Sequence, residues 1–225
     1  MSALRTIRDP FFFYFSCLML IIAVGGFGLN AIVNPQSIPP NSTYLVAHGT
    51  CMTLWYLLVV VQAGLIRVKN IALHKRLGKS SVVLAIGILV SGILVTINRY
   101  TRSEDAAIVM ASIVMMGSFI MLYAFALYHY QRPVIHKRLI LYASLAMLVP
   151  SLGRLTRAMG INEFLSLLFL ILLALAPLVY DKKTLKKVQG ITFIGIVTII
   201  VGLGIIVGVG LSESWANFLA SIMLP

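Results

Sequence analysis

The sequence predicts an all-α integral membrane protein, one domain over residues 1–225, with seven transmembrane helices, a cytoplasmic N-terminus and an external C-terminus. Three observations predict it. The chain is 60% hydrophobic and only 11% charged, whereas soluble domains carry about 25% charged residues. Its apolar residues fall into seven runs of a length that crosses a bilayer core, which needs roughly 20 helical residues. Fourteen of the eighteen Lys and Arg residues lie in the segments that would share one side, which orients the bundle.

The first run, 11–33, follows Arg5 and Arg8 and lacks a small-residue cleavage site, so it reads as a retained helix. Pro35, Pro39 and Pro40 end it. The runs 44–66, 78–97 and 106–128 follow, and Pro133 lies in the next linker. The fifth run, 139–155, contains Pro150 and is expected to bend there. The runs 163–180 and 190–211 complete the seven, because a bilayer leaves no backbone amide unpaired and each run must be helical. Segment 212–225 is too short to cross. Trp215, Phe218, Leu219 and Ile222 recur in it at helical spacing, which predicts a helix lying in the interface. Gly25, Gly26 and Gly28, and the Gly204–Gly208 pair, predict tight helix contacts. Cys17 and Cys51 fall in apolar runs at opposite depths and read as buried thiols.

The formal charge of +12 sits in short loops, with no basic face for nucleic acid. The N-terminus and the segments 67–79, 129–138 and 181–189 hold the excess. They predict a cytoplasmic face that meets anionic headgroups, and insertion in a bacterial inner membrane. Only Arg99, Arg102, Arg154 and Arg157 lie on the other side, balanced by Glu104, Asp105, Glu163 and Glu213.

Two stretches resemble each other. His74-Lys75-Arg76-Leu77 opens the third run and His136-Lys137-Arg138-Leu139 the fifth, which suggests that helices 2–3 and 4–5 are parallel repeats. The copies differ in length. Arg76 to Arg99 is 23 residues, about 34 Å of helix, whereas Arg138 to Arg154 is 16 residues, about 24 Å. Arg154 is therefore expected just below the outer boundary, where an arginine either faces a polar cavity or snorkels to phosphate.

His48 lies about 28 Å along the second helix from Arg67, near the depth inferred for Arg154. Cys51, Met52, Trp55 and Gln62 follow it at helical offsets, giving a stripe expected to face the bundle interior. With Asn98, Arg99, Asp105 and Arg154 at the outer level, the sequence points to a polar outer pocket for a small or anionic ligand. It could also bind a metal through His48 and Asp105, although no H-x-x-x-H or H-E-x-x-H spacing supports that. His74, His129 and His136 share the cytoplasmic rim. Three histidines at one depth could hold haem b or a transition metal, while the H-K-R setting equally suits a basic interfacial loop. An outer bis-histidine haem has no second histidine within one monomer.

The run His48-Gly49-Thr50-Cys51-Met52-Thr53-Leu54-Trp55, with Gln62 and Leu73-His74-Lys75-Arg76-Leu77-Gly78, resembles a pattern in uncharacterised bacterial multi-pass families of the DUF2306 and DUF420 kind. The His-Gly-x-x-Met-x-x-Trp portion is also similar to the second helix of cytochrome b561-type domains. That resemblance implies a haem or metal role near His48 and His74. The b561-type pattern carries further core histidines, whereas His129 and His136 here sit at the rim, so the uncharacterised families are the closer match. Three functions remain: ligand binding or transport, a haem or metal redox protein, and an accessory or assembly subunit of a respiratory complex, with a homodimer or membrane-complex partner. No nucleophile–base arrangement or paired carboxylates favour an enzyme. The last run has no lysine for a retinal Schiff base.

Overall fold

The computed structural model describes residues 10–37 and 43–223. Arg5, Arg8, Pro39 and Pro40 lie outside the described residues. Those residues form helices and connections, with no strand among them. In chain order the α-helices are α1 (Pro10–Val33), α2 (Thr43–Arg67), α3 (Ile71–Ser103), α4 (Ala106–Tyr128), α5 (Pro133–Ala146), α6 (Val149–Ala158), α7 (Leu165–Tyr180), α8 (Gly190–Gly208) and α9 (Glu213–Met223). Six helices are long and apolar enough to span a membrane: α1 to α4, α8, and α7 together with the turn that continues it to Leu185. A seventh is counted if α5 and α6 are one span bent by 49°.

The bend has a local cause. A proline ring collides with the carbonyl four residues back and lacks its own N–H. Four residues before Pro150 is Ala146, where α5 ends. The break at Met147 and Leu148 therefore falls just upstream of the proline, which starts α6 instead of kinking a continuous helix.

The third helix is longer than its apolar run, 33 residues from Ile71 to Ser103. Asn70 caps it by accepting the Leu73 N–H at 3.1 Å. It ends where Glu104 adopts φ 52° and donates its N–H to the Tyr100 carbonyl at 2.8 Å. Asp105 then caps α4 by accepting the Ala107 N–H at 3.0 Å. Two capping residues thus join two crossings, each neutralising helix-end groups that would otherwise be orphaned.

The α5–α6 pair lies at the centre of the bundle, with residues 138–148 buried except for Ile140. Helix α1 packs on α6, α4 on α5, and α8 on α4, α5 and α7, while α2 and α3 pair with each other. Helix α9 folds back on the α3–α4 connection, where Leu219 joins Tyr100 and Ala106, and Trp215 Nε1 donates to the Ala106 carbonyl at 2.8 Å.

The glycines correct part of the sequence reading. A side chain on Gly26 would run into the Ser151 backbone of α6, so this glycine does mark a close helix contact. Gly25, Gly28, Gly204 and Gly208 have open space where a Cβ would stand. The tightest glycine on α8 is Gly195, against the Tyr142 ring, followed by Gly202 against Val114. A glycine pair at i, i+4 fixes which face is small, and tertiary packing decides which glycine is covered. Both cysteines are free.

Candidate functional site

The polar stripe on α2 inserts against α3 where α3 has no side chain. A Cβ on Gly92 would lie 3.4 Å from His48 Cε1, one on Gly87 3.3 Å from Cys51 Sγ, and one on Gly78 3.7 Å from Gln62 Nε2. Three glycines on α3 therefore receive three members of the stripe. The stripe runs the length of the bundle, so its members serve different levels.

At the end opposite the basic loops, His48 Nδ1 lies 3.0 Å from Ser91 Oγ. Ser91 directs its own hydroxyl proton to the Gly87 carbonyl at 2.6 Å, so the imidazole is the donor in this pair. That fixes the Nδ1–H tautomer and leaves Nε2 with the lone pair, as an acceptor. Arg154 of α6 lies within electrostatic reach of His48. Its guanidinium stands 4.3 Å above the Phe27 ring of α1 and donates to the Pro150 carbonyl at 3.1 Å. Among the described residues no carboxylate lies within ion-pair distance of it.

The rest of this neighbourhood is cationic. Arg99 and Arg157 are both within electrostatic reach of Arg154, with Glu163 the one nearby acid. Glu163 is already engaged: Arg157 Nε and a terminal nitrogen donate to its two oxygens, each at 2.7 Å. This bidentate bond to Arg157 holds the Glu163 carboxyl below its ordinary value. A lowered carboxyl stabilises the fold fully above its unfolded-state pKa and loses that contribution as pH falls through the lowered value. Because both partners are exposed, Glu163→Gln is expected to lower stability by less than about 1 kcal/mol, and a Tm series in detergent from pH 7 to pH 3 checks it. A larger loss would mean that Glu163 also offsets Arg154.

The other predicted site residues are distributed elsewhere. Asp105 is exposed and caps α4, and Asn98 donates to the Leu94 carbonyl of its own helix at 2.9 Å. Trp55 is buried in mid-bundle, where Nε1 donates to Ser144 Oγ at 3.1 Å and the ring meets Phe119 and Tyr123 edge-on. Gln62 lies toward the basic end. At that end His129 Nδ1–H donates to the Phe125 carbonyl at 2.9 Å and His136 Nδ1–H to the Ala126 carbonyl at 2.7 Å. His74 lies within electrostatic reach of His136. Among the described residues no group of three His, Cys, Asp or Glu is arranged to hold a metal.

Sequence reasoning missed the most deeply buried charges. Arg138 and Asp181, 1% and 0% exposed, form an ion pair between α5 and the end of α7. Thr192 of α8 closes the network: it accepts from Arg138 Nε at 3.0 Å and donates to Asp181 Oδ2 at 2.6 Å. Asp181 also accepts the Gln189 N–H at 3.1 Å, and Arg138 donates to the Val134 carbonyl at 2.8 Å. The carboxylate opens a π-helical turn, Asp181–Leu185, that continues α7. In the sequence Asp181 precedes Lys182 and Lys183 and reads as part of a solvated loop. The available signal was an acid directly after an apolar run, on the side where basic residues dominate.

Comparison of the chain with protein-family models, with curated proteins and with solved structures finds no match.

Proposed function

We propose that this polytopic membrane protein binds or transports a small anion at the end opposite its basic loops, with Arg154 as the principal contact. The supporting observation is a half-buried guanidinium that faces an aromatic ring and donates to a carbonyl, with no carboxylate within ion-pair distance among the described residues. A half-buried arginine without an ion-pair partner favours an incoming counter-charge, so the site is complementary to an anion. Arg99 adds to the same field.

The lysine and arginine tally supports the orientation of this reading. It puts the N-terminus in the cytoplasm, the site at the outer surface of a bacterial inner membrane, and anionic headgroups against the basic end. The likeness to the DUF2306 and DUF420 kind, and the H-K-R-L repeat, fit the same multi-pass scheme.

The test uses purified protein in detergent and measures the rise in Tm with inorganic phosphate, succinate and glycerol phosphate. A ligand that binds only the folded state raises Tm with concentration. At least one of these anions is expected to do so, with its apparent affinity weakened 10-fold or more by Arg154→Gln, less by Arg99→Gln, and not by Asp105→Asn. An Arg154→Gln protein that responds as the wild type does would refute the reading.

A further inference from the structure

Two arginines one turn apart on α6 are engaged in different ways, and the difference points to the kind of anion that fits. Arg157 turns one edge of its guanidinium to Glu163. Its Nε donates to one carboxylate oxygen and its Nη2 to the other, each at 2.7 Å. Two parallel N–H donors in one plane match the two oxygens of a carboxylate, and such pairs are stronger and more directional than a single contact. Arg154 stands three residues earlier on the same helix, which makes the two side chains surface neighbours.

On Arg154 the corresponding edge is empty. One face of its guanidinium is covered, with Cζ 4.3 Å from the centre of the Phe27 ring of α1. Nη1 donates to the Pro150 carbonyl at 3.1 Å. Nε and Nη2 have no hydrogen-bond partner among the described residues. Neither is one of the fully buried polar atoms left without a partner, so this edge is open to an incoming group. The ring beneath and the carbonyl at one corner fix the plane of the guanidinium. A planar fork held in advance loses less freedom when it binds.

We propose that the Nε–Nη2 edge of Arg154 takes a carboxylate or phosphate group through two parallel hydrogen bonds, so that the site selects oxyanions over halides. This ligand class rests on the anion reading of the same site and narrows it. A halide is a sphere that accepts from any direction, and a lysine would serve it as well. An oxyanion with two oxygens in the plane of the fork gains from both donors at once. Glu163 is the internal precedent: a carboxylate seated on the same edge of the neighbouring arginine. The same pair of oxygens occurs on a soluble acid and on a lipid phosphate, and the test separates these sources.

Purified full-length protein in a neutral detergent is titrated separately with sodium chloride, sodium acetate, sodium phosphate and a short-chain phosphatidylglycerol, with binding read by calorimetry and by Tm. Acetate, phosphate or the lipid should bind about 10-fold or more tighter than chloride, since two charge-assisted bonds form at once. Arg154→Lys keeps the charge and removes the fork, so the preference should shrink to about 3-fold or less. The wild-type preference needs no variant and decides the matter if Arg154→Lys fails to fold. Binding of acetate or phosphate assigns a soluble ligand, binding confined to the lipid assigns a headgroup, and both support the fork. Chloride binding as tightly as the oxyanions, or an Arg154→Lys protein that keeps the wild-type preference, would overturn the proposal and leave anion binding in place. Binding of none of the four would remove the anion reading itself, and this proposal with it.

Discussion

Asp181→Asn is expected to destabilise the protein by about 3–5 kcal/mol, the largest effect of any conservative substitution at its basic end. Removing one partner of a buried ion pair leaves the other charge uncompensated, and that penalty exceeds the net worth of the pair. Arg138 would keep the Thr192 hydroxyl and the Val134 carbonyl, both neutral, with the Phe12 ring 5.4 Å away. The asparagine would also donate where the carboxylate only accepts, against the Gln189 N–H. Thermal or denaturant unfolding in detergent measures the loss. The decisive comparison is the double variant Arg138→Met with Asp181→Leu, which removes both charges and keeps the volume. Replacing a whole buried pair by apolar residues is often neutral or stabilising, so the double variant should be more stable than Asp181→Asn. A double variant as damaged as the single one would show that the network positions the π-helical turn rather than neutralising a charge.

The second large effect is expected at Gly26. Alanine there should cost about 3 kcal/mol or more, while alanine at Gly25 or Gly28 should be neutral or stabilise by a few tenths to about 1 kcal/mol. A methyl group on Gly26 meets the Ser151 carbonyl group and Cα, which are backbone atoms and cannot rotate away. Relief would require moving α6 off α1, opening a contact that membrane helices make through small residues. Gly25 and Gly28 have no heavy atom within 4 Å of the Cβ position, so alanine there only removes glycine's entropic cost in a helix. Unfolding midpoints of the three variants test the pattern, and equal effects at all three would refute it. Because α6 carries Arg154 and α1 carries Phe27, Gly26→Ala should also weaken anion binding with no change to a polar residue.

How much of this was legible in the sequence varies by residue. The apolar runs gave the six helices long and apolar enough to cross and the bent pair that makes a seventh if it is one span, because a bilayer imposes length and hydrophobicity on each span separately. Pro150 gave the bend, since its collision with Ala146 is local. That Arg154 exerts an electrostatic influence on His48 accords with the similar depths that a fixed rise per residue assigns them in the sequence. Gln62 was assigned to the same pocket as His48 because both lie on one stripe. Fourteen residues of helix separate them by about 21 Å, and the structure gives each its own surroundings.

The sequence alone determined where each apolar run lies, its polar stripe and its breaks, although α3 extends beyond its run to 33 residues. Tertiary structure decided what requires two helices at once. It buried Asp181 against Arg138, covered Gly26 but left Gly204 and Gly208 open, and gave the Glu163 ion pair to Arg157 rather than to Arg154. The physical reason is that periodicity and hydropathy act along one chain segment, whereas an ion pair or a helix crossing depends on which faces meet. In this chain many faces are equally apolar, and their polar exceptions find partners only when the helices dock.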